Sequence, residues 1–200
     1  MTGFAWFVSQ ALKPNPGLYL PLQGGTMSGD IDMAGHNIFN AEFPTVTKEL
    51  FLPANESSIY EGLPSSWGVF GSVAGQSPDT APWLNFALKV PDDFVSFVSL
   101  KGVWGANDAT GDMYWGMFAE YGGAGEVRNI HTDYPPMGVT AIGGAQIINV
   151  QELATPLTLS NLARGDYLGI DWERDGTNPL DTLTTVVHFL GLLFTYEAER

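Results

Sequence analysis

From Ser65 to Arg200 the chain never sustains a helical period; short apolar runs alternate instead with Gly, Asp, Asn and Pro turns. No other feature restricts the fold so much. The runs are Trp67–Val73, Trp83–Val90, Phe94–Trp104, Met113–Tyr121, Glu126–His131, Val139–Ile142, Gln146–Gln151, Leu157–Leu159, Tyr167–Glu173 and Thr182–Tyr196. Between them stand Pro91-Asp92-Asp93, Asn107–Asp112, Gly122–Gly125 and Arg174–Pro179, whose residues suit tight turns. Many short strands with this punctuation bury their apolar faces by pairing antiparallel and stacking as two sheets. The expectation is an all-β chain whose residues 65–200 form an antiparallel β-sandwich of jelly-roll-like type. Hydrophobic residues make up 44% and aromatics 12%, enough for a packed core.

The first 64 residues read differently. Phe4, Trp6, Phe7, Val8 and Leu12 are the apolar residues of a short segment, and Phe4, Phe7, Val8 and Leu12 fall at helical spacing. Lys13-Pro14-Asn15-Pro16-Gly17 ends any helix there. So short a helix is marginal alone and needs a surface, either its own domain or a neighbouring protein. Residues 1–17 are therefore expected to be an N-terminal arm. After the Gly24-Gly25 turn, Met27, Ile31 and Met33 alternate with Ser28, Asp30 and Asp32, the period of a half-buried strand. Gly35-His36-Asn37 makes a second turn before Ile38. Two short strands with so few apolar side chains cannot bury a face unaided, and symmetric self-association is the economical remedy. Residues 42–64, with Pro44, Leu50-Phe51-Leu52-Pro53 and Asn55, read as a linker with local packing, in which Val46–Leu50 forms one helical turn or a strand. Residues 18–64 are grouped as a fibre-type β segment and linker.

The contiguous stretch Leu20-Pro21-Leu22-Gln23-Gly24-Gly25-Thr26-Met27-Ser28-Gly29-Asp30-Ile31-Asp32-Met33-Ala34-Gly35-His36-Asn37-Ile38 resembles an element that recurs in phage tail-fibre and other virion appendage proteins. It covers about a tenth of the chain and occurs once, where appendage proteins often carry several copies. The resemblance implies an elongated, usually trimeric, fibre-forming region, and the single copy fits a short fibre, a collar or a decoration protein better than a long shaft. It implies a homotrimer with Leu22, Met27, Ile31, Met33 and Ile38 at the inter-chain seam. In that setting the apolar arm is expected to attach to other virion structural proteins through Phe4, Trp6, Phe7, Val8 and Leu12.

Charge narrows the partners. Eight Lys+Arg against 22 Asp+Glu give a formal net charge of −14, which repels phosphate backbones and anionic membranes, so no nucleic-acid partner is expected. No apolar run approaches the roughly 18 residues of a membrane span, so no membrane insertion is expected. The N-terminus lacks the basic leader and small-residue cleavage pattern of a signal peptide. The absence of cysteine excludes disulfides and thiolate metal sites. These readings fit a soluble protein made in a host cytoplasm and carried on a virion.

Candidate chemistry is sparse. His36, His131 and His188 show no metal-ligand spacing. His131, Asp133 and Glu126 carry the side chains of a metal or acid/base cluster, but a strand end reaching solvent accounts for them. His188, among Val187, Phe189 and Leu190, reads as a core or interface histidine. Asn107, Asp108 and Asp112 have the oxygens of a Ca²⁺ loop, yet also the side chains any β-turn prefers. Arg164-Gly165-Asp166 spells an adhesion tripeptide and equally an ordinary turn. No carboxylate pair stands out for glycan hydrolysis, and nucleophile-elbow, P-loop and dinucleotide motifs are missing. Trp67, Trp83, Trp104, Trp115 and Trp172 suit either sugar stacking or a core, and a core is the expectation. No catalytic residue, cofactor or metal is assigned. The functional expectation is a non-enzymatic virion subunit, a short trimeric fibre-type appendage. A capsid decoration protein on the head and a module binding a host receptor or glycan through Trp and Asp in distal loops are the alternatives.

Overall fold

The computed structural model describes residues 45–54, 58–59, 63–67, 70–76, 83–107 and 110–200, with side chains for 45–54, 83–107 and 110–200. The proposed arm and seam residues (Phe4, Trp6, Phe7, Val8, Leu12, Leu22, Met27, Ile31, Met33 and Ile38) lie outside the described residues. Among the described residues there are twelve strands: β1 (Thr45–Pro53), β2 (Ser58–Ile59), β3 (Leu63–Trp67), β4 (Phe70–Gln76), β5 (Trp83–Lys89), β6 (Phe94–Ala106), β7 (Asp112–Gly122), β8 (His131–Asp133), β9 (Gly138–Ala141), β10 (Asn149–Gln151), β11 (Tyr167–Arg174) and β12 (Val187–Glu199). They form two antiparallel sheets packed face to face, a β-sandwich.

The first sheet runs β10-β6-β12-β4-β3, with β1 also paired to β12. The second runs β2-β5-β11-β7-β8, with β9 also paired to β7. In β11 the burial alternates strictly, Leu168, Ile170, Trp172 and Arg174 pointing inward, as the two-residue pleat demands. Between the sheets Trp172 stacks on Phe189 with ring centroids 4.1 Å apart and lies 6.2 Å from Trp115. Phe94, Phe194 and Tyr196 extend the aromatic core along β6 and β12.

β12 changes neighbour along its length. Val187 and Phe189 pair with β4, whereas Gly191–Glu199 pair with β1. Gly191 sits at the switch with φ +153°, and a Cβ there would lie 2.2 Å from the Leu52 carbonyl oxygen. Only glycine fits that bulge.

Four local expectations are corrected. The stretch 42–64, read as a linker, contains β1, which pairs over nine residues with β12; Val46, Leu50 and Leu52 pack against the core. Its alternate apolar residues turn to the core once β1 is paired, in the same sheet, with β12 from the far end of the chain. Trp67–Val73, read as one strand, is divided between β3 and β4, which pair antiparallel with Trp67 opposite Phe70. Residues 126–130, expected to open a strand, form a loop ahead of β8. Leu157–Leu159 is not a strand, because the Thr158 and Leu159 amides donate to the Asp133 carboxylate at 2.6 and 3.0 Å instead of to a ladder.

Candidate functional site

The alternation that fills the core leaves the opposite face of the second sheet with a different set of side chains. Asp171 of β11 stands opposite Asn85 of β5 on one side and Phe118 of β7 on the other. Two residues along, Glu173 stands opposite Trp83 and Gly116; two residues back, Gly169 stands opposite Ala87 and Glu120. Gly169 puts no side chain on this face, so the sheet is bare there and flanked by larger groups. The result is a cleft of about 640 Å³ across three strands. Trp83, Phe118 and Tyr134 supply its aromatic surface, and Asn85, Glu120, Arg128 and Asp171 its polar groups.

Tyr134 arrives from the segment after β8. Its ring lies 5.7 Å from that of Phe118, and its hydroxyl donates to Glu120 Oε1 at 2.8 Å. Arg128 Nη1 lies 3.9 Å from the other Glu120 oxygen, with its side chain almost wholly exposed. Trp83 is 44% exposed and Tyr134 56%, so both rings present surface to solvent.

Burial pushes the Asp171 carboxyl above the ordinary carboxylate range, and the negative charge of Glu120 adds to it. Burial likewise raises Glu173, with Asp175 adding to the shift and a hydrogen bond from Trp83 opposing it. The Tyr134 phenol is raised first by its bond to Glu120. For Asp171 and Glu173 the folded chain disfavours the charged form. That cost is present at neutral pH and is relieved as the pH falls through the raised folded values. Mild acid therefore converts these carboxylates from acceptors to donors earlier than ordinary ones.

Such an arrangement suits a neutral polyol ring. The C–H face of a pyranose is apolar and weakly positive, matching the negative faces of Trp83, Phe118 and Tyr134. Carboxylate and amide oxygens accept from sugar hydroxyls, and a few convergent polar groups in a partly apolar concavity are the usual make-up of a small-ligand site. Two carboxylates, Asp171 and Glu120, stand against the single cation Arg128, which already faces Glu120, so an anionic sugar is disfavoured.

The other sequence candidates have structural roles. Trp104, Trp115 and Trp172 are fully buried, as expected of a core, but Trp83 faces the cleft; the Trp67 side chain lies outside the described residues. Glu126 accepts from the Gly123 amide, Asp133 accepts from the Thr158 and Leu159 amides, and His131 packs on Tyr121 at 5.3 Å. No group of three such side chains able to hold a metal occurs among the described residues. His188 is buried, its imidazole held below its ordinary value by that burial, with Asn107 Nδ2 3.5 Å from Nε2. Asp112 opens β7, and its backbone N–H donates to Thr182 Oγ1 at 2.9 Å. Arg164 pairs with Glu199, and Asp166 accepts from the Ala163 amide within its turn. Sequence reasoning missed Phe118, Tyr134, Glu120 and Asp171 as partners of Trp83; only an outward-facing register joins them. Comparison with protein-family models finds no match, and comparison with curated proteins finds none.

Proposed function

We propose that this chain is a non-enzymatic subunit of a tailed-phage virion, a short trimeric fibre-type appendage whose sandwich displays a binding cleft for neutral glycans. The cleft carries the proposal: three aromatic side chains, two carboxylates and an amide converge where Gly169 leaves the sheet bare. The Leu20–Ile38 element supports the virion setting, and the apolar N-terminal residues support attachment to another virion protein.

Replacing Trp83 by alanine removes the half-exposed stacking surface and is expected to weaken glycan binding roughly tenfold, for a loss of about 1.4 kcal/mol. Titration calorimetry against neutral glycans selected on an array checks this, and the bound glycan is recovered uncut. Retained affinity in Trp83→Ala would remove the cleft from the binding reaction.

Self-association has its own test. Ile31→Asp places a charge at the proposed seam and is expected to abolish trimers while leaving the sandwich folded. Sedimentation analysis with circular dichroism separates the two; a variant that stays fully trimeric overturns the seam.

A further inference from the structure

The geometry points to an extended groove for an oligosaccharide of at least two residues rather than a pocket for one sugar, an inference that rests on the glycan reading above. The cleft does not end at Glu120. A second depression of about 450 Å³ adjoins it and shares Glu120, Arg128 and Gly169 with it. This one is walled by the 122–128 loop and by Tyr167, which is 59% exposed.

The outward positions of β11 give the axis. Tyr167, Gly169, Asp171 and Glu173 occupy successive outward sites, spanning about 20 Å at a strand's rise of about 3.3 Å per residue. That is longer than any single pyranose ring. An aromatic residue stands at each end, Tyr167 at one and Trp83 opposite Glu173 at the other. Between Tyr167 and Asp171 the floor is bare backbone, because Gly169 has no side chain and its Cβ position meets only the Glu120 carbonyl at 3.6 Å. A linear chain lies across such a floor and stacks a ring at both ends; a lone sugar uses one end only. Glu126 in the second depression adds negative charge, so the oligosaccharide is again neutral.

The test uses the full-length protein and a calorimetric series of neutral mono-, di-, tri- and tetrasaccharides built on the terminal sugar of an array hit. Affinity is expected to rise at least tenfold from the monosaccharide to the tri- or tetrasaccharide. Tyr167→Ala is expected to remove most of that gain, and Tyr167→Phe to retain it. Trp83→Ala weakens every length. Affinity independent of length, or a Tyr167→Ala loss equal for every length, overturns the groove but spares the glycan reading. No binding to any neutral glycan overturns both.

Discussion

Replacing Arg174 by alanine is expected to destabilise the sandwich by about 3–5 kcal/mol, the usual cost of stranding one member of a buried ion pair. Arg174 points inward from the last position of β11, and its side chain and that of Asp181 are both fully buried. Its guanidinium grips the carboxylate with two nitrogens, Nε to Oδ2 at 2.9 Å and Nη2 to Oδ1 at 2.8 Å. It also donates to the Thr185 and Leu183 carbonyls, at 3.0 and 2.6 Å. Asp181 in turn accepts from the Tyr114 and Leu183 amides. One pair thus closes the connection between β11 and β12 onto β7, and removing either member leaves a charge and several backbone groups without partners inside the protein. Urea unfolding at fixed protein concentration measures the loss. Asp181→Ala is expected to match it, and the double variant Arg174→Met/Asp181→Leu to cost less than the sum, because no lone charge remains. A loss below about 1 kcal/mol in Arg174→Ala would mean that water reaches the pair.

The distance between what the sequence discloses and what it hides follows the range of the interactions. β5, β6, β7 and β11 are legible because each is an apolar run bounded by its own turns. β1 is not, because its apolar residues make sense only against β12, some 150 positions later in the chain. Leu157–Leu159 misleads in the opposite direction. Its composition is that of a strand, yet Leu159 sits at φ +42° and Asp133 takes its amide, a competition no local pattern reveals. The cleft has the same character. Trp83, Phe118, Tyr134 and Asp171 come from widely separated segments, and only the pairing of β5, β11 and β7 sets them on one face. A buried Arg174 is equally hidden, since a sequence reading assigns it to the turn it in fact anchors.

Trp172 offers the second large effect, and a contrast that isolates packing from hydrogen bonding. The ring is wholly buried between Phe189 and Trp115, while its indole N–H meets no acceptor among the described residues. Trp172→Ala removes the stacking partner of Phe189 and opens a cavity where the two sheets meet, with an expected loss of about 3–5 kcal/mol. Trp172→Phe keeps an aromatic ring there and deletes the unsatisfied donor. The smaller ring loses contacts, but relief of a buried polar group is worth about 1–3 kcal/mol in the other direction. The net change is therefore expected to stay within about 1.5 kcal/mol, well below that for alanine. Urea denaturation of both variants checks the pair, with near-ultraviolet circular dichroism reporting the aromatic core. If phenylalanine costs as much as alanine, the indole nitrogen has a partner that stabilises the native state, and shape alone does not hold this part of the core together.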